Sequence, residues 1–209
     1  MSQHMAIAGT NSGNLSQMIL LGIEEIIGRS KSQSLMNLNI IDHETSHEDQ
    51  AVKVHGFSLL ELSNLQMNIE NVFGPAAGRG LAIRSGRASF RYILRKFGDE
   101  LGLSGNDFRF LSSSKRITVG LVALASLINR ELGDCIQMEN EGGDVIWKID
   151  YSRITTTRIQ RSICHLVIGL LQEALYWFSG GKQFRIEEIS CIEQGDPACV
   201  LHIRALPVN

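Results

Sequence analysis

Two periods run through the apolar residues of this chain. Spacings of three and four predict helices over residues 57–73, 81–97, 117–132 and 155–178, with shorter ones over 18–27 and 34–41. Asn14-Leu-Ser-Gln opens the first and Gly28 stops it. Strict alternation predicts strands over 135–139, 145–149, 184–192 and 200–203. Gly142-Gly143 and Gly195-Asp196-Pro197 supply the turns of two hairpins. On the second strand Val145, Trp147 and Ile149 share a face, and Ile146 and Lys148 share the other. The third strand changes phase, because Phe184 and Ile186 belong to one face while Ile189 and Cys191 belong to the opposite one. A β-bulge at Glu187-Glu188 explains the slip and turns one of these carboxylates toward the cysteine side. Helices, hairpin, long helix, hairpin make an α+β protein: an antiparallel sheet of about four strands packed against a helical layer.

The stretch Gly74-Pro-Ala-Ala-Gly-Arg-Gly-Leu81 interrupts the helices. No strand precedes it and no Lys-Ser or Lys-Thr follows, so it reads as a tight helix-to-helix passage and not a phosphate cradle. Residues 1–13 are small and polar and read as a flexible N-terminus; residues 14–209 read as one domain. A chain of 209 residues buries a core without disulfides. A net charge of −2 with no basic block argues against a nucleic-acid platform. The first ten residues lack a secretory pattern, and no apolar run reaches membrane-spanning length. The expectation is a cytoplasmic protein whose four cysteines are thiols or metal ligands.

Three of those cysteines, Cys164, Cys191 and Cys199, fall on a helix, at a strand end and after a turn. Thiolates are strong zinc ligands, and a structural zinc takes four, so an Asp, Glu or His must complete the set. Cys135 stands apart as a buried thiol. His43, Glu44, His47, Glu48 and Asp49 read as a solvated loop, since no apolar frame holds them. Arg84, Arg87, Arg91 and Arg95 share a helix face, either as a stripe for an acidic ligand or as a solvated face bridged to acids such as Asp99 and Glu100. Tyr92 and Trp147 combine an apolar ring with one polar atom, which suits either a pocket or the core.

The string from Phe184 to Ile203, FRIEEISCIEQGDPACVLHI, resembles the signature of the 4-vinyl reductase domain family, and Gly74 to Tyr92 is similar to N-terminal stretches of its stand-alone members. The resemblance spans roughly residues 15 to 205. It implies a fold shared with vesicle-tethering subunits and with the sensor domains of phenol-responsive activators, a small hydrophobic ligand held between helices and sheet, and a homodimer. It also implies a structural zinc on a helix cysteine, two cysteines eight apart and a glutamate three before the first of them, which here are Cys164, Cys191, Cys199 and Glu188. Lys182, Arg185 or His202 would offset the site's negative charge. Trp147 corresponds to the tryptophan that orients the guest in the sensors; their histidine has no counterpart between His55 and His165, which argues against phenol sensing. Tyr92, Phe110 and Arg91 complete the expected ligand site, with Arg91 pairing a ligand carboxylate. By family association the ligand is a tetrapyrrole or chlorophyll precursor, and the role is to assist pigment synthesis or photosystem assembly beside a pigment-protein partner. The alternatives are an interaction scaffold and an aromatic-compound sensor. No dinucleotide fingerprint, flavin motif or Fe–S spacing is present, so catalysis is not expected.

Overall fold

The computed structural model describes residues 14–41, 58–153 and 162–208. The expected flexible N-terminus and the His43–Asp49 cluster lie outside them. Helices α1 (Asn14–Ile27) and α2 (Arg29–Ile41) meet at Gly28, whose φ of 87° only glycine adopts easily. Helix α2 begins five residues earlier than the apolar spacing predicts, because its first turn is polar. Helix α3 (Leu59–Phe73) starts at a capping box: Ser58 Oγ accepts from the Glu61 N–H, and Glu61 Oε2 accepts from the Ser58 N–H at 2.7 Å.

Helix α4 (Pro75–Phe97) absorbs the glycine passage expected at residues 74–81. Proline suits a first helical turn because its missing N–H has no intrahelical partner there. Gly78 serves close approach, since a Cβ on it would run into the Glu70 backbone of α3. Helices α5 (Asn106–Phe110), α6 (Ser113–Leu132) and α7 (Cys164–Ser179) follow, α7 after strands β1 (Ile136–Glu141) and β2 (Asp144–Ile149) and a 3-10 turn at Tyr151–Arg153. Strands β3 (Gln183–Ser190) and β4 (Cys199–Val208) close the chain. Within the helix expected from residue 155, Ser162 and Ile163 are not helical.

Helix α4 lies between α1 and α7, and small residues set both contacts. Gly22 of α1 faces Ser85 and Ser89 of α4. A Cβ on Gly86 would collide with the Leu166 carbonyl oxygen of α7, and one on Gly169 with the Ile83 carbonyl oxygen of α4. The α4–α7 crossing is therefore backbone on backbone. The sheet is antiparallel in the order β1-β2-β4-β3. Trp147, Ile149, Cys199, Leu201 and Ile203 lie on one face of its two central strands, fully or almost fully buried in one continuous core with α7. Among the described residues no helix is long and apolar enough to cross a membrane.

Candidate metal centre

Four side chains from three elements and a turn meet where α7 begins. Cys164 is the first residue of α7, Glu188 lies on β3, Cys191 follows β3, and Cys199 opens β4. Their ligand atoms all lie within 4.8 Å of one another. The three cysteines are buried; Glu188 is partly buried, and its Oε1 is shut off from solvent without a hydrogen-bond partner.

A bulge makes this grouping possible. Strand β3 pairs Glu188 with Leu201 and then Ser190 with Val200, so two steps on β3 match one on β4. Ile189 is the extra residue and turns outward, 57% exposed. In a regular strand Glu188 and Cys191, three apart, would face opposite sides; the added residue brings both inward. The slip lies just beyond Glu187-Glu188, the pair at which the sequence places it, and Ile189 does not share the inward face with Cys191 as the alternation predicts it should. Glu187 pairs with His202 on the outer face and takes ion pairs from Arg185 (2.8 Å) and Arg204 (3.1 Å).

The turn from Cys191 to Asp196 holds its shape by local bonds. Asp196 Oδ2 accepts from the Cys191 N–H at 2.8 Å, and the Gln194 N–H donates to the Cys191 carbonyl at 2.9 Å. Gly195 closes it at a φ of 96°. Glu193 Oε1 accepts from the Ser162 N–H and hydroxyl at 2.7 and 2.9 Å, and the buried Tyr151 hydroxyl accepts from the Ile163 N–H at 3.0 Å. These two contacts anchor the residues just before Cys164. Gln66 Oε1 accepts from the Leu166 N–H in the first turn of α7.

The Sγ atoms of Cys191 and Cys199 are 3.9 Å apart. A disulfide requires about 2.05 Å. A tetrahedral zinc with Zn–S bonds of about 2.3 Å requires an S···S separation of about 3.8 Å. The geometry therefore fits a shared cation, and the orphaned Glu188 oxygen supplies a fourth donor.

The groups cannot all ionise together without a cation. Contacts with Cys164 and Cys199 hold the Cys191 thiol well below the usual thiol range. Contacts with Cys191 and Cys199, reinforced by burial, push Cys164 far up. The Cys164 contact pulls Cys199 down, but Cys191 and burial outweigh it and push Cys199 up to about 12. Burial raises Glu188 to about 7, against the pull of Cys164. A divalent ion inverts this order by favouring every deprotonated ligand. Burial, with Cys199 and Cys164 beside it, also pushes the Tyr151 hydroxyl well up.

The expected counter-charges are not at the site. His202 Nε2 bonds Asp144 Oδ2 at 2.7 Å on the outer sheet face, Arg185 pairs with Glu187, and Lys182 is exposed past the end of α7. Alternation explains the miss: with Cys199 and Leu201 inward, His202 must point outward. The positive end of the α7 dipole takes that place, since Cys164 stands on its first turn. Cys135 is buried outside the cluster, its thiol raised by burial to about 11.

The residues expected to hold a guest do not converge. Trp147 is fully buried on the inner sheet face, and its indole N–H has no partner among the described residues. Tyr92 lies on α4, where a bond to Glu25 raises its hydroxyl pKa, and Arg95 sits over its ring at 5.9 Å. Arg91 Nη2 pairs with Glu25 Oε1 at 2.6 Å. Phe110 is 86% exposed at the end of α5. The arginine stripe is bridged to acids, but to Glu25 of α1 and Glu173 of α7, not to Asp99 or Glu100. Sequence reasoning missed Tyr151, Glu193 and Gln66, whose partners are distant in the chain and leave no local signal. Asp196 was legible only as part of a turn.

No protein-family model and no curated protein matches the sequence. Solved structures do match in fold. An H-NOX protein from S. oneidensis in its Fe(II)NO state aligns at 16% identity and TM-score 0.56, covering 92% of this chain and 98% of its own. An Fe(II) unliganded H-NOX protein from K. algicida aligns at 12% identity and TM-score 0.56, covering 93% and 95%. These findings overturn the resemblance to the 4-vinyl reductase domain family: the similar structures are H-NOX domains, and the C-terminal string that carried the resemblance is accounted for locally by a bulge, a turn and the cysteine cluster. The chain has the fold of the H-NOX domains, an α+β fold with a four-stranded antiparallel sheet under a helical layer.

Proposed function

We propose that this chain is a non-catalytic, small-ligand-binding domain of the H-NOX fold, held together by a structural zinc ion on Cys164, Glu188, Cys191 and Cys199. The observation that carries the metal is the meeting of four ligand atoms within 4.8 Å. Three sulfurs and one oxygen suit zinc, which accepts thiolate and carboxylate in one tetrahedron. Four protein ligands leave no open position for a reacting water, so the ion's contribution is to staple α7 to the two strands.

Trp147 supports the ligand half of the reading. A buried indole N–H ordinarily finds an acceptor, and a hydrophobic guest carrying one acceptor atom would satisfy it. Among the described residues no histidine faces a cleft that would hold a heme. His165 Nδ1 bonds Glu70 and Gln66 and His202 Nε2 bonds Asp144, and neither histidine lines the cleft between α1, α4 and α7 or the one beside the α3–α4 junction. Side chains fill the inner sheet face where a macrocycle would need room. A small guest replaces the tetrapyrrole for the same reason. The filled face also favours a second reading, the interaction scaffold, in which the core takes no guest.

One experiment tests both halves. Freshly purified protein should contain about one zinc per chain by elemental analysis, as a single closed site requires, and a phenol or indole series should quench fluorescence in a form removed by Trp147→Phe. Zinc without quenching leaves the scaffold; absence of zinc from unchelated protein refutes the metal centre.

A further inference from the structure

The metal centre makes no use of the arginine stripe. Arg84, Arg87 and Arg91, with Ala88 of the same helix, Ile26 of α1 and Glu173 of α7, line a cleft of about 250 Å³ where the three helices meet. The arginines stand at positions i, i+3 and i+7, one face of a helix over about 10 Å. Ala88 is buried, and it gives the cleft a small apolar wall between exposed guanidiniums.

Two of the three are held in place with donors to spare. Arg87 meets Glu173 Oε2 through Nε at 3.2 Å, and Arg91 meets Glu25 Oε1 through Nη2 at 2.6 Å. A guanidinium carries five N–H donors, so a single such contact orients it without exhausting it. Arg84 makes no ion pair or hydrogen bond among the described residues, because no carboxylate reaches it from α1 or α7. Three cations against the carboxylates of Glu173 and Glu25 leave an excess of positive charge.

We propose that this cleft binds a phosphate group, free or as a monoester, with Arg84 as its principal contact and Arg87 and Arg91 oriented for it by their carboxylates. One bidentate guanidinium saturates a planar carboxylate, whereas a tetrahedral dianion accepts from several forks at once. Three forks on one helix face around a cleft of this size match the second geometry and leave no room for a porphyrin. The site is independent of the zinc reading, since it shares no residue with the cysteine cluster.

The test is a titration of the full chain at constant ionic strength, because added salt alone weakens exposed pairs. Inorganic phosphate, glycerol phosphate, succinate and vesicles containing phosphatidate are compared, with arginine Nε–H resonances as the readout for the soluble anions and co-sedimentation for the vesicles. Saturable shifts with phosphate or its ester, weakened about tenfold by Arg84→Ala and unchanged by Arg95→Ala on the same stripe, are expected. Binding confined to vesicles and lost in Arg84→Ala supports a lipid headgroup as the source; binding of glycerol phosphate supports a soluble ester. Equal response to succinate, an unaltered response in Arg84→Ala, or no saturable response to any phosphate source overturns the proposal.

Discussion

Glu188 and Glu187 are adjacent, chemically identical and opposite in role. One lies against three buried thiols and the other pairs with Arg185 and Arg204 on the outer face. Simple alternation separates the two; the extra residue Ile189 is what brings Cys191 to the side of Glu188, and the phase slip in the sequence announced a bulge but placed it at Glu187-Glu188, just before Ile189. The cysteines were legible for a similar reason: their helix, strand-end and turn positions are local properties. Tyr151 and Glu193 were not legible, because their importance comes from where Ile163 and Ser162 end up. Cys191→Ser is expected to lower zinc content and folding stability together, since metal binding and folding are linked. Cys135→Ser should leave zinc content unchanged, and elemental analysis with denaturant melts of both variants checks the contrast. Trp147 permits a test by comparison. Trp147→Ala should cost about 3–5 kcal/mol as a large-to-small core change. Trp147→Phe leaves a smaller cavity and removes an indole N–H that has no partner among the described residues, a relief of about 1–3 kcal/mol, so it should cost clearly less in ligand-free protein. A loss in the ligand-free Phe variant as large as that of Trp147→Ala would contradict an unpartnered N–H.

At the scale of elements, the helix α4–α7 crossing sets where the cysteine cluster begins. Gly86 and Gly169 let the two backbones touch, so the start of α7 is set relative to the sheet by contacts that tolerate no added carbon. Gly169→Ala is expected to destabilise by at least about 1–3 kcal/mol, the usual cost of overpacking, while Gly80→Ala, with open space at its Cβ, should not. Thermal melts of the pair decide whether close approach is the reason for the glycine. Periodicity located six of the seven described helices but misplaced ends, and the five-residue α5 is too short to show a period. Polar first turns hid the start of α2, and glycines that serve packing made the start of α4 look like a break. Ser162 and Ile163 belong to the apolar run that predicted a longer α7, yet their N–H groups are taken by Glu193 and Tyr151.

The described residues form a sheet and a helical layer that share one continuous apolar core, with the cysteine cluster where α7 meets β3 and β4. The sequence specified that class through order alone, helices then hairpin then helix then hairpin, but not the likeness in fold to the H-NOX domains, which runs at 10–16% identity and lives in the arrangement of elements. Acid titration should report Glu188 through a comparison with Glu188→Gln. In metal-free protein the folded-state value of Glu188 is raised from 4.5 to about 7. Its contribution to stability is then fully present below about 4.5 and lost as pH rises through 7, while the lowered Cys191 thiol acts in the opposite sense over the same window. Melts of chelated wild type and Glu188→Gln between pH 4.5 and 7 isolate the Glu188 part: the stability of wild type relative to the variant should fall as pH rises, and a difference that does not change with pH would remove Glu188 from the buried cluster. The most direct measurement of the central claim is X-ray absorption at the zinc edge on protein purified without added metal. The account predicts about one zinc per chain with three sulfurs near 2.3 Å and one oxygen near 2.0–2.2 Å. A shell of nitrogen and oxygen alone, or protein that contains no zinc, would contradict it.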